Sequence, residues 1–204
     1  MYKQACCLMG LFFFHLIYKT CIIMPHISLP EGFPGIRSLA VYRPDTGAAL
    51  YALAEALLRG DSSLSQADAE LIAAFTSSQN DCTFCTCSHA AAARYLFGTD
   101  KEIVDAVIAD YQTAPISEKM KTLLAIAQCV QQDARTVSDE IVANARLAGA
   151  TDREIHDTVL IAATFCMFNR YVDGLATLTP TNPGAYEPMG ERMATLGYVP
   201  PKYP

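Results

Sequence analysis

The chain has 204 residues, 51% of them hydrophobic and 18% charged, which is apolar enough to bury a core and too apolar for a disordered chain. Against 21 Asp and Glu it carries 15 Lys and Arg, a net charge of -6, so no basic surplus exists to neutralise phosphates and nucleic acid is excluded as an expected partner. Its 8 cysteines are too few, at this length, for a small disulfide-stapled scaffold.

Residues 1–23 do not match the rest. Leu11-Phe12-Phe13-Phe14 and Ile22-Ile23 make a hydrophobic stretch, but His15 and Lys19 interrupt it, so the clean run is short for a bilayer span. Lys3 ahead of apolar sequence resembles a secretory signal, yet Tyr18-Lys19-Thr20-Cys21 is no small-x-small cleavage site. The segment reads as an N-terminal extension from a misplaced start, with a signal or membrane anchor as the alternative. Met24 then opens a single domain over residues 24–204. A cytoplasmic protein is expected, or a membrane or secreted one if residues 1–23 are genuine. Cys6, Cys7 and Cys21 receive no role.

From there the chain reads as consecutive helices. Residues 30–44 are punctuated by Pro and Gly and read as irregular. Asp45 or Thr46 caps a helix whose Leu50, Leu53, Ala54, Leu57 and Leu58 recur at helical spacing, and Gly60 stops it. Ser65-Gln66-Ala67-Asp68 resembles a capping box and opens a helix to about residue 79. Asp81 caps the next, over 82–97, with Gly98 as its stop. Further helices fit 100–110, 117–133, 138–148 and 151–169, where Gly149 ends one and Thr151-Asp152-Arg153-Glu154 is a second capping box. The tail from Thr179 carries Pro180, Pro183, Pro188, Pro200 and Pro201 and reads as extended. No strand alternation is long enough for a sheet, so the expected class is all-α. A faint repeat relates Leu71-Ile72-Ala73-Ala74, ending at Asn80, to Leu160-Ile161-Ala162-Ala163, ending at Asn169. An internal helical duplication explains it, and so does chance among Ala-rich helices.

The residues with chemistry are Glu70, Cys82, Cys85 and His89. On a helix at about 100° per residue, Cys82, Cys85 and His89 fall within an arc of about 60°, whereas Cys87 points away. Cysteines in a helix's first turn feel unpaired N–H groups and the positive dipole end, which favour the thiolate that attacks peroxide or disulfide sulfur. His89 lies one turn beyond Cys85 and is placed to take its proton, but lies about 10.5 Å along the axis from Cys82. Cys85 is therefore the nucleophile and Cys82 the resolving thiol. The spacing does not by itself bring Glu70 to this face.

Other readings compete. Cys82, Cys85 and His89 are three of the four ligands zinc needs, with Cys129, His156 or Cys166 to complete the set, but no second close ligand pair exists. A structural disulfide is a further alternative, although nothing else in the body points to secretion. Cys129 and Cys166 lie on apolar helix faces and read as core. Phe165, Phe168 and Tyr171 share helical spacing and read as core or subunit interface. His26 and His156 carry no functional reading, and Glu102, Asp105 and Glu118 read as solvated surface.

Residues 64–97 resemble the carboxymuconolactone decarboxylase superfamily, in its alkyl hydroperoxidase D-like, peroxidase-related branch. The matching elements are Glu70-Leu71-Ile72, Ser78-Gln79-Asn80-Asp81-Cys82-Thr83-Phe84-Cys85 and Ser88-His89-Ala90, with Asn169-Arg170-Tyr171-Val172-Asp173 later. The resemblance implies an all-helical homo-oligomer that uses no metal and no organic cofactor. It implies that Cys85 attacks a hydroperoxide, that Cys82 closes a disulfide with it, that His89 and Glu70 relay protons, and that an external dithiol restores the pair. The reductant is a lipoyl protein, a thioredoxin-like protein or a small thiol. The extension before Met24 and the added Cys87 depart from the family pattern. A thiol-dependent peroxidase is the leading expectation. The alternatives are a non-catalytic thiol redox sensor, which forms the disulfide without turnover, and decarboxylase-type lactone chemistry, which needs no thiol.

Overall fold

Where the sequence carries Ser or Thr just before an apolar-periodic run, a helix begins. The computed structural model describes residues 24–200, and all expectations on residues 1–23, including Lys3, Cys6, Cys7 and Cys21, lie outside the described residues. Helix α1 is Ile36–Tyr42, α2 Pro44–Leu58, α3 Gln66–Gln79, α4 Thr83–Phe97 and α5 Glu102–Asp110. Next come α6 Glu118–Asp133, α7 Asp139–Leu147, α8 Asp152–Gly174 and α9 Glu187–Leu196. No strand occurs among the described residues, so the class is all-α. Ser65, Ser117, Ser138 and Thr151 each accept the N–H three residues on, and Thr151 with Glu154 forms the full reciprocal box. Asp68 is a methylene shorter than Glu, and its carboxylate accepts the Ser65 hydroxyl at 2.7 Å instead.

Four sequence expectations are corrected. Residues 30–44 are not wholly irregular: Leu39 and Ala40 are buried on α1, a short helix bracketed by Pro34 and Pro44. Pro44 itself opens α2 at a position where a missing N–H costs nothing, so neither Asp45 nor Thr46 is the cap. Asp81 does not cap α4; Cys82 does. The tail is not extended throughout, because Pro188 falls in the first turn of α9, where proline is tolerated, and Gly190 and Met193 supply its buried face. In addition, α8 runs five residues beyond Asn169.

Helix α3 is the central element. All nine residues from Ala69 to Ser77 are buried on it, which requires neighbours on every side. These neighbours are α2, α4, α5, α6 and α8. Small side chains permit the close approach: Ala73 and Ala74 on α3, and Ala90, Ala92 and Ala93 on α4, are fully buried or nearly so. On the far side of α4, α9 meets it backbone to backbone. A Cβ on Gly190 would stand 2.5 Å from the Ala91 carbonyl carbon, so only glycine fits there. The two asparagines of the repeat bond to each other, Asn80 Nδ2 donating to Asn169 Oδ1 at 2.8 Å. No helix among the described residues is long and apolar enough to cross a membrane.

Candidate active site at the α3–α4 hairpin

The turn between α3 and α4 positions the first thiol. Asp81 adopts a left-handed φ of 57°, a conformation that Asp tolerates better than most residues. The Asp81 N–H then donates to Ser78 O at 3.2 Å and the Cys82 N–H to Ser77 O at 3.1 Å, the double closure of a Schellman turn. Cys82 thus ends α3, and its own carbonyl accepts the Thr86 N–H to start α4. Its backbone is extended, so the shared helical arc holds for Cys85 and His89 but not for Cys82. Cys85 is the third residue of α4 and faces the end with unpaired N–H groups. Both thiols are buried and neither is in a disulfide.

The same hairpin brings Glu70 to His89. The chain reverses, so pairs across it run in opposite order: Ser77 meets Cys82, and Glu70 meets His89 two turns deeper. Glu70 Oε2 lies 2.7 Å from His89 Nδ1, and the carboxyl is wholly buried. Glu70 Oε1 accepts Arg59 Nη2 at 2.6 Å and the Tyr198 hydroxyl at 2.6 Å. The Tyr198 oxygen is also 3.2 Å from His89 Nδ1, with the two rings stacked at 6.1 Å between centroids. Arg59 comes from the end of α2, where it also donates to the carbonyls of Leu58 and Met193. Burial alone would raise the Glu70 carboxyl, but His89, Arg59 and Tyr198 outweigh it and hold it below the usual carboxylate range. Burial, and then the Glu70 charge, push the Tyr198 phenol well above its ordinary value, so it stays a donor. An ionised carboxylate accepts only, so Nδ1 of His89 carries the hydrogen towards Glu70, and whenever the ring is neutral its lone pair is on Nε2.

A cavity of about 310 Å³ opens onto this face, lined by Cys85, Ser88 and His89 together with largely apolar residues from α1, α2, α8 and α9. Phe165 sets its edge against the His89 ring at 4.5 Å. Cys82 does not line the cavity; it lies in a small apolar cluster with Leu39, Phe84, Cys85 and Val172. Its bond to the Cys85 thiol, and then burial, push the Cys82 thiol upward, so Cys82 keeps its proton. Asp173, from the later patch of resemblance, stands beside Cys82; burial raises its carboxyl and the bond from Cys82 partly offsets this.

The remaining sequence readings have mixed outcomes. Cys129 and Cys166 are half-buried rather than core, and Cys166 accepts Asn80 Nδ2 at 3.4 Å. His156 is exposed and paired with Asp157, and no three His, Cys, Asp or Glu side chains converge as metal ligands among the described residues. Phe165 and Phe168 are buried as expected but also wall the cavity. Glu102, Asp105 and Glu118 are exposed. Sequence reasoning missed Arg59 and Tyr198. Arg59 reads as an ordinary basic residue at a helix end, and Tyr198 lies in a stretch read as extended; only their tertiary contacts reveal them.

Residues 44–128 match the carboxymuconolactone decarboxylase family, a span that holds Arg59, Glu70, Cys82, Cys85 and His89 but not Phe165 or Tyr198. No curated protein matches the chain. Among solved structures, an uncharacterised peroxidase-related protein from Ralstonia eutropha JMP134, described as an alkylhydroperoxidase AhpD core, is 26% identical with a TM-score of 0.69, over 82% of this chain and 83% of that one. An uncharacterised peroxidase-related protein from Silicibacter sp. TM1040 is also 26% identical with a TM-score of 0.69, over 76% and 78%. A protein of unknown function from Agrobacterium tumefaciens shares the fold at 21% identity and a TM-score of 0.63, over 72% of this chain and 99% of that one. The buried Glu70–His89 pair beside two free thiols thus lies inside the segment that matches the carboxymuconolactone decarboxylase family, on a fold similar to that of AhpD-like, peroxidase-related proteins.

Proposed function

We propose that the protein is a thiol-dependent peroxidase that reduces organic hydroperoxides through Cys85 and Cys82. The observation that carries this reading is the sharing of one cavity by Cys85 and His89, one helical turn apart, while the far side of the imidazole is held by buried Glu70. Nε2 of His89 takes the Cys85 proton. The sulfur then attacks the outer peroxide oxygen: an S–O bond forms, the O–O bond breaks, and the departing alkoxide takes the proton back from His89 and leaves as alcohol. Glu70 steadies the transient imidazolium, and Arg59 and Tyr198 hold Glu70. Cys85 is now a sulfenic acid. The Cys82 sulfur attacks it, an S–S bond forms, and hydroxide leaves with the Cys82 proton as water. Two electrons from an external dithiol reopen the disulfide. No metal and no organic cofactor takes part, and the chain works as a homo-oligomer in the cytoplasm.

The test is consumption of an alkyl hydroperoxide by the reduced protein with dihydrolipoamide, a thioredoxin-like protein or a small dithiol supplied. Turnover is expected with at least one of these and is abolished in Cys85→Ser. Cys82→Ser completes a single turnover and stops as a sulfenic acid that dimedone traps. Unchanged turnover in Cys85→Ser overturns the proposal. A Cys82–Cys85 disulfide that forms without sustained turnover replaces it with a redox sensor.

A further inference from the structure

The cavity also carries information on what enters it, and the substrate class drawn from it rests on the peroxidase reading above. Its volume, about 310 Å³, is some ten times the ~30 Å³ share of one water molecule in the liquid, far more than hydrogen peroxide needs. Its walls are mostly apolar, with Leu50, Phe165, Phe168 and Met193 among them. Two cations stand in that wall, Arg37 on α1 and Arg192 on α9, and no Asp or Glu among the described residues lines it. Both arginines are half-buried, whereas Cys85 and His89 are buried, so the positive charge sits on the solvent side and the thiol on the inner side.

These two arginines are unusual in this molecule. Of the nine arginines among the described residues, Arg43, Arg59, Arg94, Arg135, Arg146 and Arg153 each pair with a carboxylate. Arg37, Arg170 and Arg192 do not, and two of these three line the cavity. Arg192 gives one N–H to Val199 O at 3.0 Å, and Arg37 lies over the Phe33 ring at 5.6 Å, so each retains donors for a ligand. In a chain with six more acidic than basic groups, two guanidinium groups at one apolar cavity with no carboxylate partner among the described residues mark a place for an anion from outside. We propose that the site takes an amphipathic anion, an organic hydroperoxide whose apolar body lies along the cavity wall, with its peroxide at Cys85 and a carboxylate or phosphate end at Arg37 and Arg192.

The test separates binding from turnover. Calorimetric titration of the reduced full chain with dodecanoate, dodecyl phosphate and dodecanol uses ligands with no O–O bond. At least one anion is expected to bind about ten-fold or more tighter than the alcohol, the scale of a charge-assisted hydrogen bond, and the better of the two identifies the end group. That anion-over-alcohol ratio falls several-fold in Arg37→Gln and in Arg192→Gln, is largely retained in Arg37→Lys, and shrinks with added salt. Equal binding of alcohol and anions overturns the proposal, as does an anion preference that survives both Gln substitutions. If Arg192→Gln fails to fold, Arg37→Gln and the salt series decide. In turnover, a carboxylate-bearing alkyl hydroperoxide is expected to exceed its methyl ester about ten-fold in kcat/KM. An intact anion preference without peroxide turnover overturns the peroxidase reading alone.

Discussion

The α3–α4 hairpin and the C-terminal segment contribute to the same site but differ in how their residues reach it. Cys85 and His89 face one cavity because one helix carries them four residues apart, a relation fixed by local geometry. Tyr198 reaches Glu70 across 128 residues of chain, and Arg59 reaches Met193 O across 134. The first kind of contact survives on any scaffold that keeps the helix. The second exists only while α9 stays pressed against α4 at Gly190. The comparison teaches that the residues proposed to carry the chemistry form a short local unit, while their electrostatic setting is supplied from remote sequence.

The largest test of that division is His89→Ala, which is expected to slow peroxide reduction by ~10²–10⁴ in stopped-flow kinetics while leaving the far-ultraviolet circular dichroism unchanged. Glu70→Gln ranks next. It leaves the Arg59 guanidinium, whose side chain is 6% exposed, without its counter-charge, and a loss of about 3–5 kcal/mol is expected in urea unfolding. An unfolding midpoint equal to the parent's would show that the ion pair does not hold the remote segment. Tyr198→Phe keeps the ring against His89 but removes one charge-assisted hydrogen bond, so a loss of about 1.5–3 kcal/mol in the same measurement is expected, with a shifted pH–rate profile. The smallest effect is the pH dependence of thermal stability. Glu70 is held below its ordinary value, so its contribution is present above about pH 4.3 and is lost as pH falls through the folded value. Tyr198 and Cys82 are pushed up, so their contribution is present at neutral pH and declines once pH passes the ordinary thiol and phenol values of about 8.5 and 10. Glu70→Gln should flatten the acid limb and Tyr198→Phe part of the alkaline one.

This division also explains what was legible beforehand. Ser65, Thr151 and Gly98 mark helix ends by chemistry that acts within a turn, and the helices begin or end there. Glu70 entered only by family resemblance, because spacing along a chain does not say which residues of two helices face each other. The hairpin register supplies that answer. Asp81 reads as a cap from sequence because the left-handed closure of α3 and the start of α4 overlap on adjacent residues. Helix α9 is hidden in the sequence because proline usually breaks a helix, although Pro188 in a first turn is harmless. Arg59 and Arg192 carried no signal, because an arginine without a known neighbour reads as solvated surface.

Cys82 is the elbow of the hairpin. Its N–H completes one helix through Ser77 and its carbonyl begins the other through Thr86. Any covalent link formed at its sulfur is therefore felt by both arms at once, and a crosslink to Cys85 would knit the joint into a ring spanning four residues. Oxidation and stiffness at the elbow then become a single variable, and calorimetry of the two redox forms would read an electron count as a melting temperature.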